Sequence, residues 1–309
     1  MKGLKKMKKD STSIANVLLV ATTLAAVYLL FVLVFRAPGV QVASTEQAPT
    51  IASVSKKVGD HTTEAHPAAV GKTAEKHVQK PKPDEVVQML KSGNERFYSG
   101  KATHPQADAA RLALAGREDQ GKYAYATVIA CSDSRVPVEL IFDAGVMDIF
   151  VVRVAGNVCD TDEVGSIEYG LAHVNTPVLV VLGHTQCGAV TAVTRAVQGH
   201  GHKLERNIPP LVDNIIPAVK RAIEQQKGVH GDAIIPYAIE ENVWQGVEDL
   251  FMKSPAVRNI VKEGKAKVVG AIYDVGTGKV EWLGTEKVDE ILKRVEASPD
   301  KETKEFAAE

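Results

Sequence analysis

Two short motifs bring together residue types that bind transition metals. The first is CSDSR at Cys131–Arg135 and the second is HTQCG at His184–Gly188. Two thiols and one imidazole suit zinc, a borderline-soft ion that prefers sulfur and nitrogen ligands in tetrahedral geometry. We therefore predict one zinc per chain, bound by Cys131, His184 and Cys187. Three protein ligands leave a fourth position for water, a carboxylate or a substrate, which indicates a catalytic rather than a structural metal.

The spacing inside each motif predicts how the side chains meet. Cys131, Asp133 and Arg135 alternate by two, so an extended segment would project all three to the same side. Asp133 can then either pair with Arg135 or take the fourth position on the metal. For the second motif we predict a helix over residues 184–198, whose first turn would carry both ligands on one face.

Each metal-binding motif directly follows an apolar run without charge, Tyr123–Ala130 for the first and Pro177–Gly183 for the second. Such runs are typical of strands buried on both faces of a parallel sheet, which places its sites at the carboxyl ends of the strands. Further strands are predicted at 148–154, 267–275 and 279–283, and helices from residue 84 onwards and at 107–115, 165–174, 207–226 and 236–252. The sequence therefore predicts an α/β domain with a mostly parallel sheet of four to five strands flanked by helices.

The order C-x-D-x-R and then H-x-x-C, with 53 positions from Cys131 to His184, resembles the β-class carbonic anhydrases. The resemblance extends over about residues 84–290. Its further matching segments are GNERF at 93–97, FVVR at 150–153, AGN at 155–157, GSIEY at 165–169 and GAIYD at 270–274. It implies the fold of that family and a tight homodimer, or a dimer of dimers, whose active site draws residues from both subunits.

The resemblance also implies a reaction: reversible hydration of CO2 to bicarbonate and a proton, by attack of a zinc-bound hydroxide on the carbon. A zinc bound by a neutral imidazole and two thiolates carries a net charge near zero, so its water should be less acidified than at an all-histidine site. Asp133, held by the fork of Arg135, would accept a hydrogen bond from that hydroxide and orient its lone pair. Both residues are therefore predicted to be catalytic, and Asp133 is also a candidate metal ligand.

The substrate pocket is predicted from the resemblance alone. Phe150 and Tyr169 would line it, and the backbone N–H of Gly188 would hold a bicarbonate oxygen. Two positions depart from the pattern of the family. Lys122 stands nine residues before the first zinc cysteine, where many members have a Gln that contacts the substrate. Val128 stands where the bicarbonate-regulated branch has a Trp, which argues against that regulatory pocket.

Three other functions fit parts of the pattern. Within the same fold the substrate could be COS or CS2, since pocket width decides between such molecules. A catalytically silent zinc protein acting as a membrane partner is disfavoured by the intact Asp133 and Arg135 pair. A redox protein using a Cys131–Cys187 disulfide is disfavoured because the chain contains no C-x-x-C. Cys159 matches no ligand position and is predicted to be a buried or free thiol.

Charge is unevenly distributed along the chain. Residues 1–36 carry five Lys, one Arg and one Asp, a net +5, which leaves −6 for the remainder of a chain whose formal net charge is −1. An acidic body without a basic stripe argues against binding to nucleic acid.

The N-terminal region contains a candidate membrane anchor. Ile14–Phe35 is a run of 22 residues without charge, long enough at about 1.5 Å per residue to span a bilayer core of roughly 30 Å. Because five lysines precede it in segment 1–13, we expect the catalytic domain on the outer, periplasmic or extracytoplasmic, face. A cleaved secretory signal is the alternative. Residues 36–83 are predicted to be a flexible linker, 84–295 the zinc-dependent domain and 296–309 a charged, frayed tail.

Overall fold

A five-stranded sheet lies at the centre of residues 80–307, the part of the chain that this computed structural model describes. Its strands are β1 (Ala126–Cys131), β2 (Ile149–Val154), β3 (Val178–His184), β4 (Lys267–Tyr273) and β5 (Val280–Trp282). They lie in the order β2-β1-β3-β4-β5, with the first four parallel and β5 antiparallel to β4. The predicted mostly parallel sheet of four to five strands is confirmed.

Helices connect and cover the strands. They are α1 (Pro83–Tyr98), α2 (Ala109–Ala115), α3 (Val138–Ile141), α4 (Thr161–Glu168), α5 (Gly188–Arg195), α6 (Ile208–Val212), α7 (Ile216–Gln225), α8 (Ile235–Lys253), α9 (Pro255–Lys262) and α10 (Glu286–Ala297). A π-helical turn at Tyr169–His173 continues α4. The predicted start of α1 is confirmed, with a proline in its first turn and Asp84 and Glu85 at its positive end.

The segments predicted upstream of the domain lie outside the described residues. They are the basic segment 1–13, the anchor or signal run 14–35 and the linker as far as residue 79. Across residues 80–307, no helix combines the length and the apolar character that crossing a bilayer requires.

β1 and β3 are buried along their whole length because helices cover both faces of the sheet. Successive side chains of a strand point to opposite faces. Ile129 of β1 packs in a core with Trp244 and Phe251 of α8, whereas Val128 packs in a second core with Leu90 of α1. This burial on both faces explains the continuous apolar runs in the sequence, and it holds the ends of β1 and β3 side by side.

Prolines divide the region that was predicted as one helix over 207–226. The chain instead forms α6, a 3-10 turn at Asp213–Ile215 and then α7. Pro217 lies in the first turn of α7, where its missing N–H is tolerated, but it cannot donate a hydrogen bond to a preceding helical turn. The prediction of one continuous helix is therefore wrong.

The C-terminal segment packs against the domain. Two helices there, α9 and α10, have no counterpart among the predicted elements. Beyond α10, the N–H of Glu302 donates to the carbonyl of Met252 at 2.8 Å, and the buried Arg258 donates from Nη2 to the carbonyl of Glu302 at 2.7 Å. The prediction of a frayed tail is therefore wrong as far as Glu302.

Candidate metal centre

Two of the predicted metal ligands meet because their strands end at the same edge of the sheet. β1 ends at Cys131 and β3 ends at His184. The two strands are parallel neighbours, and Ala130 pairs with Leu182 in register. The sheet therefore presents both side chains at its carboxyl edge, where parallel α/β folds place their sites.

A tight turn, rather than a helical face, brings His184 and Cys187 together. His184 is the last residue of β3, Gln186 has a left-handed backbone with φ +58°, and Cys187 is the N-cap residue of α5. The N–H of Thr185 donates to the carbonyl of Tyr273 at 2.9 Å, which keeps the chain extended just beyond the strand. The helix predicted from residue 184 is therefore wrong for its first four residues.

The side chains of Cys131, His184 and Cys187 form a buried cluster, which we call the ligand cluster. Their ligand atoms all lie within 4.8 Å of one another. Zinc–sulfur bonds of about 2.3 Å in a tetrahedral site place two sulfur atoms about 3.8 Å apart, so these separations suit one ion with little movement.

The hydrogen bonding of His184 also fits a metal ligand. Its Nδ1 lies 2.9 Å from the carbonyl oxygen of Thr185, which can only accept, so Nδ1 carries the proton. Its Nε2 is buried and has no hydrogen-bond partner. A buried unpartnered nitrogen beside two thiols is costly unless an ion occupies the space between them. The residues of the ligand cluster therefore fit a zinc ion.

The two thiols differ in proton affinity. A hydrogen bond from the Cys187 thiol lowers the pKa of Cys131; burial opposes this, and the N–H of Gly156 reinforces it. The hydrogen bond that the Cys187 thiol donates to Cys131 raises the pKa of Cys187, and burial raises it further. One thiolate is therefore formed readily, and a cation must be present to favour the second.

Asp133 and Arg135 form a two-pronged ion pair beside the ligand cluster. Arg135 donates from Nε to Oδ1 at 3.0 Å and from Nη2 to Oδ2 at 2.7 Å, and its backbone N–H donates to Oδ1 at 2.9 Å. The side-chain hydrogen bond from Arg135 holds the pKa of Asp133 well below its usual range, so the carboxylate stays ionised. Of the two predicted arrangements for Asp133, the structure contains the pair with Arg135.

The backbone of the first motif is a turn and not the extended segment that was predicted. The N–H of Val136 donates to the carbonyl of Asp133 at 3.0 Å, which closes this turn. Arg135 also reaches the second motif, because its Nη1 and Nη2 donate to the side chain and the carbonyl of Gln186 at 3.3 and 3.2 Å. One arginine thus connects the two turns that carry the ligands.

The predicted pocket residues Phe150 and Tyr169 lie away from the ligand cluster within one chain. Phe150 pairs with Thr127, four positions before Cys131 along β1, a distance of about 13 Å. The rings of Phe150 and Tyr169 are 6.0 Å apart, and Tyr169 is half exposed. Gly188, by contrast, directly follows Cys187 and begins α5, and a Cβ atom on it would meet no atom within 4 Å. Of the three predicted substrate-binding residues, only Gly188 therefore lies beside the ligand cluster of its own chain.

Lys122, Val128 and Cys159 all make contacts elsewhere in the domain. Lys122 donates to Glu118 at 2.7 Å, and Val128 is fully buried in the core under α1. Cys159 is fully buried beneath α8, and burial raises the pKa of its thiol. The prediction that Cys159 is a buried thiol outside the metal site is confirmed.

Comparison with known proteins extends this picture. The model of the carbonic anhydrase family matches residues 126–280. Carbonic anhydrase 2 of Mycobacterium tuberculosis is 36% identical over 191 residues, which cover 62% of this chain and 87% of that protein. Carbonic anhydrase of Mycolicibacterium smegmatis is 34% identical over 192 residues, covering 62% and 89%. The solved β-carbonic anhydrase CafA of Aspergillus fumigatus aligns with a TM-score of 0.51 and 27% identity, covering 69% of this chain and 97% of that one.

The chain belongs to the β-class carbonic anhydrases. The family match includes β1 to β4 and both metal-binding motifs. The resemblance inferred from the motifs is therefore confirmed, and the chain is a carbonic anhydrase enzyme.

Two further residues support the centre of this carbonic anhydrase, although the sequence analysis assigned neither of them a role. Gly156 donates its N–H to Sγ of Cys131 at 3.3 Å, and its carbonyl accepts from Nδ2 of Asn242 at 2.7 Å. The glycine has φ +77°, and a Cβ atom on it would lie 2.7 Å from Cδ1 of Ile215, so any other residue would be strained there and would displace that side chain. The AGN segment at 155–157 was one of the segments that match the family. The contact of its glycine with Cys131, however, depends on the pairing of β1 with β2.

Proposed function

We propose that this enzyme hydrates CO2 reversibly to bicarbonate and a proton, with one zinc per chain bound by Cys131, His184 and Cys187. The observation that carries the proposal is the buried, unpartnered Nε2 of His184 between two thiols, with the ionised pair of Asp133 and Arg135 beside it. When bound, zinc supplies Lewis acidity, which lowers the pKa of water at the open coordination position. Because two thiolates offset the charge of the ion, the surrounding side chains must orient the attacking water.

Asp133 is the group that orients the attacking water. Its Oδ2 accepts one hydrogen bond, from Nη2 of Arg135, so a lone pair remains to accept the hydrogen atom of the water. Accepting that hydrogen atom points an oxygen lone pair of the water at the carbon of CO2. Since the pKa of Asp133 lies well below its usual range, the residue acts as an acceptor and does not hold the released proton. The proton passes to buffer.

We also propose that the substrate pocket is completed by a second copy of the chain. Phe150 lies about 13 Å along the strands from Cys131, too far to line its pocket within one protomer, and the ring of Tyr169 packs 6.0 Å from that of Phe150. Tyr169 is half exposed and stacks on His173 with ring centroids 5.4 Å apart, which leaves an aromatic surface for a partner. In a homodimer, or a dimer of dimers, Phe150 and Tyr169 of one protomer would line the pocket of the other. The N–H of Gly188 would hold a bicarbonate oxygen from within the same protomer.

For location, we propose that Ile14–Phe35 anchors the enzyme in a membrane or directs its export, with the catalytic domain on the outer face. The support is the length of the uncharged run and the five lysines before it. A polar stretch of Pro, Ala, Thr, Ser, Lys and Glu then separates this run from α1.

The choice of substrate is tested by stopped-flow assays with CO2, COS and CS2 on one preparation of the zinc-loaded full-length chain. We expect CO2 hydration to be the fastest reaction by far. Cys131→Ser protein is the matched blank, because a hydroxyl is a poor ligand for zinc. Faster turnover of COS or CS2 than of CO2 would replace the proposed substrate while leaving the metal assignment intact.

A further inference from the structure

Arg153 of β2 makes three hydrogen bonds to the backbone of the first metal-binding motif. Its Nε and Nη2 donate to the carbonyl of Cys131 at 3.1 and 3.0 Å, and its Nη2 also donates to the carbonyl of Asp133 at 2.7 Å. The guanidinium therefore binds a predicted metal ligand and the predicted orienting residue through their backbone carbonyls.

The carbonyl of Cys131 lies where the sheet ends, whereas the carbonyl of Asp133 already accepts from the N–H of Val136 at 3.0 Å. Arg153 therefore gives the closed turn a second hydrogen bond at Asp133. Cys131 pairs with Val154 at the last register position between β1 and β2, and the N–H of Ser132 donates to the carbonyl of Val154 at 3.1 Å. Beyond Ser132 the chain leaves the sheet and turns. The guanidinium of Arg153 continues the hydrogen bonding between β1 and β2 beyond the end of the sheet, because it binds the carbonyls of Cys131 and Asp133.

We infer that Arg153 is a positioning residue, which fixes the backbone turn at Asp133 so that its carboxylate meets the attacking water at the correct angle. The inference rests on the proposed hydration reaction and assigns a role to the FVVR segment at 150–153. Arg153 acts through Asp133 and does not touch the substrate. A planar guanidinium suits this task because one rigid group can donate to two carbonyls at once.

Substitution of Arg153 should lower the rate without removing the metal. In Arg153→Met the ligand side chains are unchanged, so zinc content should stay at one per chain. The turn at Asp133 loses its fixed partner, and the hydration rate should fall by about 10-fold to 100-fold, as for other outer-shell partners of metal sites. The matched control is Arg294→Met, since Arg294 is an arginine on α10 that pairs with Glu248, away from the ligand cluster.

A double-mutant cycle with Asp133→Asn separates positioning from a general loss of structure. If Arg153 acts through the carboxylate of Asp133, then Arg153→Met should cost less than about threefold once Asp133 is already Asn. A full, additive loss in that background would overturn the inference, as would loss of zinc from Arg153→Met. Arg153→Lys, which keeps the charge and most of the stem, serves as the second variant if Arg153→Met does not fold.

Hydrogen exchange supplies a readout that does not require the reaction. The amide of Ser132 is hydrogen-bonded to β2, and the amides of Arg135 and Val136 are hydrogen-bonded to Asp133 within the turn. All three should exchange faster in Arg153→Met than in the wild type, and at the wild-type rate in Arg294→Met. Unchanged exchange at all three amides would overturn the positioning role. If the wild type itself fails to hydrate CO2, the proposed function fails, whereas the exchange experiment still decides the role of Arg153.

Discussion

Arg135 holds both carboxylate oxygens of Asp133, from Nε at 3.0 Å and from Nη2 at 2.7 Å, within a turn that begins where β1 ends. The same guanidinium reaches Gln186 in the turn between the other two predicted ligands. This pair favours an enzyme over a catalytically silent zinc protein, because a silent site needs no oriented carboxylate beside its metal.

Replacing Asp133 by Asn should disable the reaction while leaving the metal bound. Asn keeps the shape of the side chain but loses the charge that accepts from water and pairs with Arg135. We expect zinc to remain and the hydration rate to fall by about 10-fold to 1000-fold. Stopped-flow rates with zinc content measured on the same sample test this. A wild-type rate in the variant would remove Asp133 from the mechanism.

Arg135→Ala should produce a different, pH-dependent defect. Without the fork, the ionised Asp133 is free to approach the metal and block the open position. The loss of rate should be greatest at the lower end of the pH range, where hydroxide is scarce, and part of the rate should return as the pH rises. The ratio of variant to wild-type rate across pH is the measurement, and a constant ratio would contradict the role given to Arg135.

The shared pocket can be tested by mixing two inactive variants. One carries Asp133→Asn, and the other carries Phe150→Ala together with Tyr169→Ala. If each active site takes its carboxylate from one protomer and its aromatic residues from the other, mixed dimers contain one intact site. Random re-pairing should then restore about a quarter of the wild-type rate. Activity that stays at the sum of the separate variants would place these aromatic residues outside the pocket.

A half-buried carboxyl group away from the ligand cluster should make stability depend on pH. Burial raises the pKa of Asp249 to about 6, and its hydrogen bond from Gln245 at 2.8 Å only partly opposes the rise. Its pKa in the unfolded chain is about 3.9, so its contribution is favourable below about pH 4 and is lost as the pH rises through 6. Lys253, Glu248 and Arg221 are the other charged groups that act on it.

Asp249→Asn should therefore raise the free energy of unfolding at pH 7, by about 1–2 kcal/mol, and flatten its change between pH 4 and 6. Urea denaturation of both proteins at several pH values measures this. Asp232→Asn is the control. Asp232 is exposed and pairs with Arg195, and this pairing lowers the pKa of the Asp232 carboxyl group. Parallel curves for wild type and Asp249→Asn would show that Asp249 ionises normally.

Location has its own test. We expect the full-length protein to stay with membranes after a high-salt wash, because Ile14–Phe35 is long enough to span them. Protease added to spheroplasts of an expressing bacterium should digest the catalytic domain. Survival of the domain until the membrane is broken would reverse the orientation. A wholly soluble mature protein that lacks this run would identify it as a cleaved signal.

The sequence identified the parts of the site that local patterns determine. Uncharged apolar runs end at Cys131 and His184, so the two strands and their common edge could be predicted. The turn before Cys187 could not, because Gln186 adopts a left-handed backbone that its residue type does not indicate. That turn depends on bonds to another strand, such as that from Thr185 to Tyr273.

Long-range contacts explain the other differences. The contact of Gly156 with Cys131 follows from the pairing of β1 with β2 and not from any spacing along the chain. The distance of Phe150 from the ligand cluster likewise appears only once the strand register is known. At the C-terminus, the charged composition after Val295 favoured a frayed tail, but a buried arginine in α9 binds that segment.

The most direct test measures zinc and CO2 hydration on the same preparation of the full-length enzyme. We expect one zinc per chain, a hydration rate proportional to zinc content, and loss of both in Cys131→Ser and in Cys187→Ser. Cys159→Ala is the matched control and should keep both, because Cys159 is buried in the core and belongs to no metal site. A full zinc content with no hydration above the buffer rate would contradict the account.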